Sequence, residues 1–393
     1  MQEWLDTTLG DEFKIVMGQS PASEYYNDRG QGLPFFQGKK EFGELYPEVE
    51  VWTKQATKKA DKGDVLLSIR APIGNVNIAP QECGIGRGLA AIKPNGKTCN
   101  KFILYLLKAN ESELKKRGSG VTFSAITKPN LFSLPIKVPS DKQERDKIVQ
   151  AIETQFTRLD VAIKSLKAIK DRLELYRKSV LKAAFSNELI TLKGNWQRYK
   201  IKDIAQKVQY GLTSQSGENY RGPKYLRITD IQNRKVNWET VPLAKETGRV
   251  EDYQLHKGDV VFARTGATVG KSFLIDDCPR DAVFASYLIR IVPNLEKIDP
   301  ALLWFYFQSP MYWHKISQSQ RGIGQPNVNG AILAELEIDL PITIEAQKTL
   351  TEEIESRLSI IDKVEEAVDI NLAKTEKLRR SILKSAFDGK LIN

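Results

Sequence analysis

Two windows of this chain, residues 141–193 and 342–388, hold neither glycine nor proline and carry apolar residues mostly in steps of three and four. In the first the stripe runs Ile148, Ile152, Phe156, Leu159, Ile163, Leu166, Ile169, Leu173, Tyr176 and Val180. In the second it runs Leu350, Ile354, Leu358, Ile361, Val364, Val368, Leu372, Leu378 and Ile382. Glycine and proline are the residues that interrupt helices, and positions three and four apart share a helical face, so each window predicts one unbroken helix with one apolar seam. A helix of about 45 residues is roughly 70 Å long. A seam of that length, flanked by charges of both signs, exceeds what one small domain can bury. The expectation is therefore two helices packed on each other as a coiled coil, in preference to each lying only on its own globule.

The two windows belong to a duplication. Residues 134–190 align with 336–392 at a constant offset of 202 without a gap, and 15 of the 57 pairs are identical. Pro139 and Pro341, equivalent in the repeat, mark the entries to the helical windows, and LKAAFSNELI (181–190) and LKSAFDGKLI (383–392) close the copies. Each copy follows about 130 to 140 residues of short β-branched and aromatic runs broken by Gly, Pro and Asn. These stretches are related as well: KGDVLLSIRAPIGNV (62–76) resembles KGDVVFARTGATVGKS (257–272), Trp4 and Trp196 open the halves, and RGSG (117–120) and RGIG (321–324) precede the helices. Short helices are expected over 101–116 and 301–319, and a strand over KYLRITDIQNRK (224–235) that projects Arg227 and Thr229 one way. The pattern predicts an α+β fold in which two mostly-β domains alternate with two long antiparallel coiled-coil helices in an internal repeat. The expected segments are 1–140, 141–193, 194–342 and 343–393.

Charge narrows the function. The net charge is +10, and +8 of it lies outside residues 141–190 and 343–390, so the globules and not the helices attract a polyanion. Cys83, Cys99 and Cys278 lie far apart without a CxxC pair, which fits free thiols in a reducing compartment. The chain shows no secretory signal at its start and no apolar run of 18 residues, so a soluble, cytoplasmic protein without a membrane partner is expected.

Catalytic patterns are missing. GATVGKS (266–272) nearly matches a phosphate-cradling loop, but Thr265 stands where its first glycine is required, and SFLIDDCPRDAVFASYLIRIV (272–292) reads as strands and not as the necessary helix. GIGRG (84–88) is too short for a dinucleotide fingerprint and reads as a hairpin turn. His256 and His314 have no partner at ligand spacing, which disfavours a metal site, and the acid-or-amide, Pro-Pro, aromatic tetrad of amino-methyltransferases is absent. A non-enzyme without a cofactor of its own is the expectation.

What remains is basic, polar loops interleaved with aromatics. YYNDRGQGLPFFQGKKEFG (25–43) offers Gln37, Lys39 and Lys40. Arg70 and Arg264 stand at matching places after the KGDV turns, with Thr265 and Lys271 beside the second. Thr122 and Ser124 in one loop, and Gln325 and Asn327 in its counterpart, precede the helices. Arg and Lys read guanine edges, Asn and Gln read adenine, and hydroxyls grip phosphate, so these residues, with Arg227 and Thr229, are the candidate DNA contacts.

In their order, GQSP (18–21) to LPFFQG (33–38), the KGDVLLSIRAPIG turn, GRGLAAIKP (86–94), YLRITDI (225–231) and two helices ending in LK-x-AF resemble the specificity subunits of type I restriction-modification systems, over essentially the whole chain. The resemblance implies two target recognition domains that read the halves of a split double-stranded DNA sequence, with the helices as spacer. It also implies two modification subunits that bring S-adenosylmethionine and methylate adenine N6, and optional motor-nuclease restriction subunits. A Glu-Gln pair frequent at the helix starts of that family is replaced here by Gln143-Glu144 and Glu345-Ala346. The competing readings are a DNA-binding regulator that homodimerises through its helices, and a self-sufficient methyltransferase or NTPase, which the missing motifs disfavour.

Overall fold

The computed structural model describes residues 4–118, 125–191, 195–232, 235–245, 248, 250–264, 269–319 and 328–391. Each helical window is a single helix of 44 residues, Lys142–Phe185 and Ile344–Phe387. The chain separates into two compact units, one of Met1–Lys167 with Asp369–Asn393, the other of Ala168–Val368. Each unit thus holds one globule, the beginning of the long helix that follows it, and the end of the other long helix.

In the first unit Trp4–Thr8 pairs antiparallel with Pro135–Pro139, Trp4 opposite Pro139, which returns the chain to its start before the helix begins. Lys14–Met17, Leu89–Lys93, Val65–Ser68 and Val76–Ile78 form a four-stranded antiparallel sheet in that spatial order. A five-stranded sheet beside it contains a parallel pair, Leu33–Phe36 with Cys83–Ile85. Side chains alternate across a strand, so Val65 and Leu67 enter one core with Phe102 and Leu106, while Leu66 enters another with Phe36 and Ile85. The second unit repeats the plan. Trp196–Lys200 pairs with Glu337–Pro341, and Ala205–Tyr210, Leu288–Pro293, Val260–Ala263 and Ser272–Leu274 form the four-stranded sheet. Tyr225–Leu226 runs parallel to Val283–Phe284, and Val260 and Phe262 face away from Val261 into a different core.

The helix ends are built into these cores. Ile148, Val149 and Ile152 join Leu383, Ala386 and Phe387 in the first unit; Leu350, Ile354, Leu358 and Ile361 join Val180, Leu181, Ala184 and Phe185 in the second. Equivalent phenylalanines meet the globules edge-on, Phe387 against Phe102 at 5.3 Å and Phe185 against Tyr306 at 5.6 Å. Between the helices, Arg379 pairs with Asp160 in the first unit, and Arg177 with Asp362 and, at 3.3 Å, Glu365 in the second. Arg177 and Arg379 are repeat equivalents, as are Asp160 and Asp362, so one ion pair is made twice. In the second unit Arg177 meets Asp362, and Arg357 donates to Leu189 O just past the end of the first helix, so partner numbers fall as the chain advances and the helices are antiparallel. The seam is not closed along its whole length: Ile169, Tyr176, Val364 and Leu378 are 40%, 49%, 38% and 48% exposed. Its ends are covered by the globule cores as much as by the other helix.

At the helix starts the residues in the places of the repeat are Arg145 and Gln347, both fully buried. Arg145 donates to Pro139 O at 2.7 Å and to Glu12 at 2.6 Å, and Gln347 to Pro341 O at 2.9 Å and Lys297 O at 3.1 Å. Each ties the carbonyl of the marker proline to its globule. Among the described residues no helix is long and apolar enough to cross a membrane.

Two local expectations need correction. The stretch from 224 to 235 is not one strand: Tyr225–Leu226 is followed by a 3-10 turn, Ile228–Asp230, then Ile231–Gln232. The Asp230 carboxylate accepts from Arg227 N at 2.8 Å, and this local bond competes with strand continuation. GIGRG is a turn but not a hairpin, because Cys83–Ile85 and Leu89–Lys93 belong to different sheets. The short helices fall where expected, as Asn100–Ala109 with Glu111–Arg117 and Pro300–Gln308 with Pro310–Ser319.

Candidate nucleic-acid interface

The same backbone frame recurs at one end of the four-stranded sheet in both units. In the first, Gly18 N donates to Leu89 O (2.9 Å), Gln19 N to Ile85 O (3.0 Å), Gly86 N to Phe36 O (2.8 Å), Leu89 N to Gly86 O (3.0 Å) and Ile69 N to Gly88 O (2.9 Å). In the second, Gly211 N donates to Leu288 O (3.2 Å), Leu212 N to Phe284 O (2.8 Å), Ala285 N to Leu226 O (3.0 Å), Leu288 N to Ala285 O (2.8 Å) and Arg264 N to Tyr287 O (3.1 Å). Four separate chain segments are thereby drawn to one place. The approach is too close for side chains: a Cβ on Gly18 would lie 2.1 Å from Gly86 O, and one on Gly211 2.3 Å from Ala285 O.

In the first unit this frame gathers Gln37, Lys39 and Arg70, all exposed. A Cβ on Gly88 would lie 2.1 Å from Gln37 O, so Gln37 flanks Gly88 on one side while Ile69, bonded to Gly88, leads into Arg70 on the other. Among the described residues Arg70 has no ion pair. Lys40 differs, since its ammonium lies 2.7 Å from Glu50, and that hydrogen bond raises its pKa. Arg87, between Gly86 and Gly88, is also exposed, and its amide donates to Ser20 Oγ at 3.2 Å. Sequence reasoning passed over Arg87 and Ser20 because GRG looked like an ordinary turn. The available signal was the close spacing of Gly84, Gly86 and Gly88, which marks approaching backbones.

The second unit carries other side chains on the same frame. Arg70 and Arg264 do not occupy matching places: Ser68 stands opposite Leu89 and Ala263 opposite Leu288, so Arg264 corresponds to Ile69, one residue earlier. Ile69 is 5% exposed in the core, whereas the Arg264 guanidinium lies over the Tyr210 ring, 5.0 Å from its centre, with Nε buried and without a partner among the described residues. Tyr210 is fixed in turn, its hydroxyl accepting from Gly330 N at 3.0 Å. Tyr287, at the place of Gly88, is partly exposed, and burial raises its phenol pKa to about 12. Arg227 is held by Asp230 through Nε at 3.0 Å and Nη2 at 2.7 Å. Thr229 and Lys271 are exposed, Lys271 on the hairpin next to Gly270. Thr122, Ser124, Thr265, Gln325 and Asn327 lie outside the described residues, as does RGIG.

The KGDV turns serve the fold. Gly63 and Gly258 have φ of 90° and 94°, and the buried Asp64 and Asp259 accept from Asp61 N at 2.8 Å and His256 N at 2.9 Å. Burial raises both carboxyl pKa values, against the pull of Lys93 at 3.3 Å from Asp64 and Arg290 at 3.2 Å from Asp259. Cys83 is a buried thiol raised to about 12 by burial. Among the described residues no group of three or more His, Cys, Asp or Glu is arranged to hold a metal.

The sequence matches the family described as type I restriction modification DNA specificity domain twice, over residues 1–175 and 193–379. It is 39% identical over 191 residues to the protein of Methanocaldococcus jannaschii named as the MjaX type I restriction enzyme specificity subunit, a match spanning 48% of this chain and 44% of that one. It is 23% identical over 405 residues to the MjaVIII type I restriction enzyme specificity subunit of the same organism, spanning 99% and 93%. A solved structure from work on complex assembly and conformational transition of a type I restriction-modification system superposes with a TM-score of 0.77 at 15% identity, over 98% of both chains.

Proposed function

The chain belongs to the type I restriction modification DNA specificity family, and we propose that it reads an asymmetric, two-part double-stranded DNA sequence, one part with each globule. It is a specificity subunit and not a catalyst. The observation that carries the two-part reading is the repeated backbone frame with different side chains: Gln37, Arg70 and Arg87 on one copy, Arg227, Arg264 and Tyr287 on the other. A common frame supports a common docking mode on the duplex, and unlike side chains support unlike half-sites. The surplus positive charge of the globules supports phosphate contact.

Methylation of adenine N6 requires the base to leave the stack and enter a catalytic pocket. On this reading two modification subunits supply that pocket together with S-adenosylmethionine, motor-nuclease subunits join for cleavage, and the assembly works in the cytoplasm. The long helices act as the spacer between half-sites. Sequencing modified adenines in the host with and without this gene tests the reading: a two-part, asymmetric methylated motif disappears with the gene, and an unchanged methylation pattern refutes it.

A further inference from the structure

Arg87 combines a fixed backbone with a free head group. It is a central residue of the turn closed by Leu89 N on Gly86 O, its own amide is held by Ser20 Oγ, and both neighbours are bonded, Gly86 N to Phe36 O and Gly88 O to Ile69 N. Those bonds tie its backbone to strands of the four-stranded and the five-stranded sheets of the first unit. Its side chain is exposed and forms no ion pair among the described residues, unlike Lys40 on Glu50 or Arg227 on Asp230. Gln37 and Arg70 flank it. A guanidinium with its base held and its fork unspent suits bidentate recognition, because little order remains to be imposed on binding.

From this geometry, and resting on the reading of the chain as a DNA specificity subunit, we infer that Arg87 is a specificity-determining residue of the first globule, reading a guanine of the first half-site through O6 and N7 in the major groove. The equivalent turn position in the second unit is Ser286, between Ala285 and Tyr287, so the second half-site is read without this contact.

The test uses the full chain with its methyltransferase partner, purified from the host, in selection from duplexes randomised in both halves at fixed salt. Arg87→Ala should lower discrimination at a single G·C position of the first half-site by about 5- to 150-fold and leave the second half-site untouched. Arg87→Gln should shift preference at that position from guanine toward adenine, the base a Gln side chain matches. Uniform weakening on all sequences with a flatter salt dependence would make Arg87 a phosphate contact and overturn the inference, as would an unchanged profile for both variants. If the parent complex selects no two-part sequence, the functional reading fails instead, whatever the variants do.

Discussion

In the first unit the residue bonded to the central turn is Ile69, packed in the core; in the second the same place holds Arg264, stacked on Tyr210 with a buried Nε that has no partner among the described residues. A second contrast lies beside it, where Gly88 lets the chain pass under Gln37 and Tyr287 presents an aromatic ring. The backbone bonds are the same in both. Two copies of one fold have thus kept the hydrogen bonds that align four segments and exchanged the side chains those segments offer, and the second copy accepts a buried polar group where the first has an aliphatic one.

The largest effect expected from breaking the comparison comes from altering what lies between the copies. Inserting four residues near Ser165, about one turn or roughly 6 Å, should abolish methylation at the parental spacing and lengthen the spacer by about one to two base pairs, both half-sites being kept. Methylome sequencing of the insertion strain reads this directly, and full methylation at the original spacing would contradict it.

Next is the buried charge. Arg290 and Asp259 have side chains only 6% and 3% exposed, whereas Lys93, the partner of Asp64, is 21% exposed and also reaches the exposed Asp61. Arg290→Met should therefore destabilise by about 3 kcal/mol and Lys93→Met by about 1 kcal/mol, read from denaturant unfolding. Equal losses would mean that the two turns are not differently buried.

Arg264→Ile places in the second unit the residue of the first. It should weaken cognate binding about 5- to 150-fold in the second half-site alone. Parental affinity in the variant complex would remove Arg264 from the interface.

The smallest effect is one of pH. Glu335 is held down to about 2 by hydrogen bonds from Lys200 and Lys202, and Arg198 lowers the Asp339 pKa. Carboxylates depressed in the folded state stabilise it above their unfolded pKa, so their contribution should fade as pH drops from about 4.5 toward 2. Both pairs are solvent-exposed and the change is slight. Hydrogen exchange at the Trp196–Lys200 strand across that range should show it, and the Lys200→Ala/Lys202→Ala variant should lose most of it.

The long helices were legible because their signal is periodic and uninterrupted, and the repeat because its offset never slips. The interface was less so. Gln37, Lys39 and Arg70 could be named from composition, but the apparent match of Arg70 with Arg264 followed letter spacing, while strand register decides which residue faces where. Arg87 was hidden in a glycine turn whose importance comes from contacts with segments 50 and 67 positions away. Local bonding misled at Arg227, where an acid three residues on turns an expected strand into a 3-10 turn.

The central claim is that each globule reads its own half of the target. Replacing residues 196–335 with the corresponding segment of a relative of different specificity, and sequencing the adenines methylated in cells carrying the hybrid, tests it most directly. The account predicts a methylated motif in which the half read by the second globule takes the relative's sequence and the other half stays the same. A motif changed in both halves, or in neither, would contradict it.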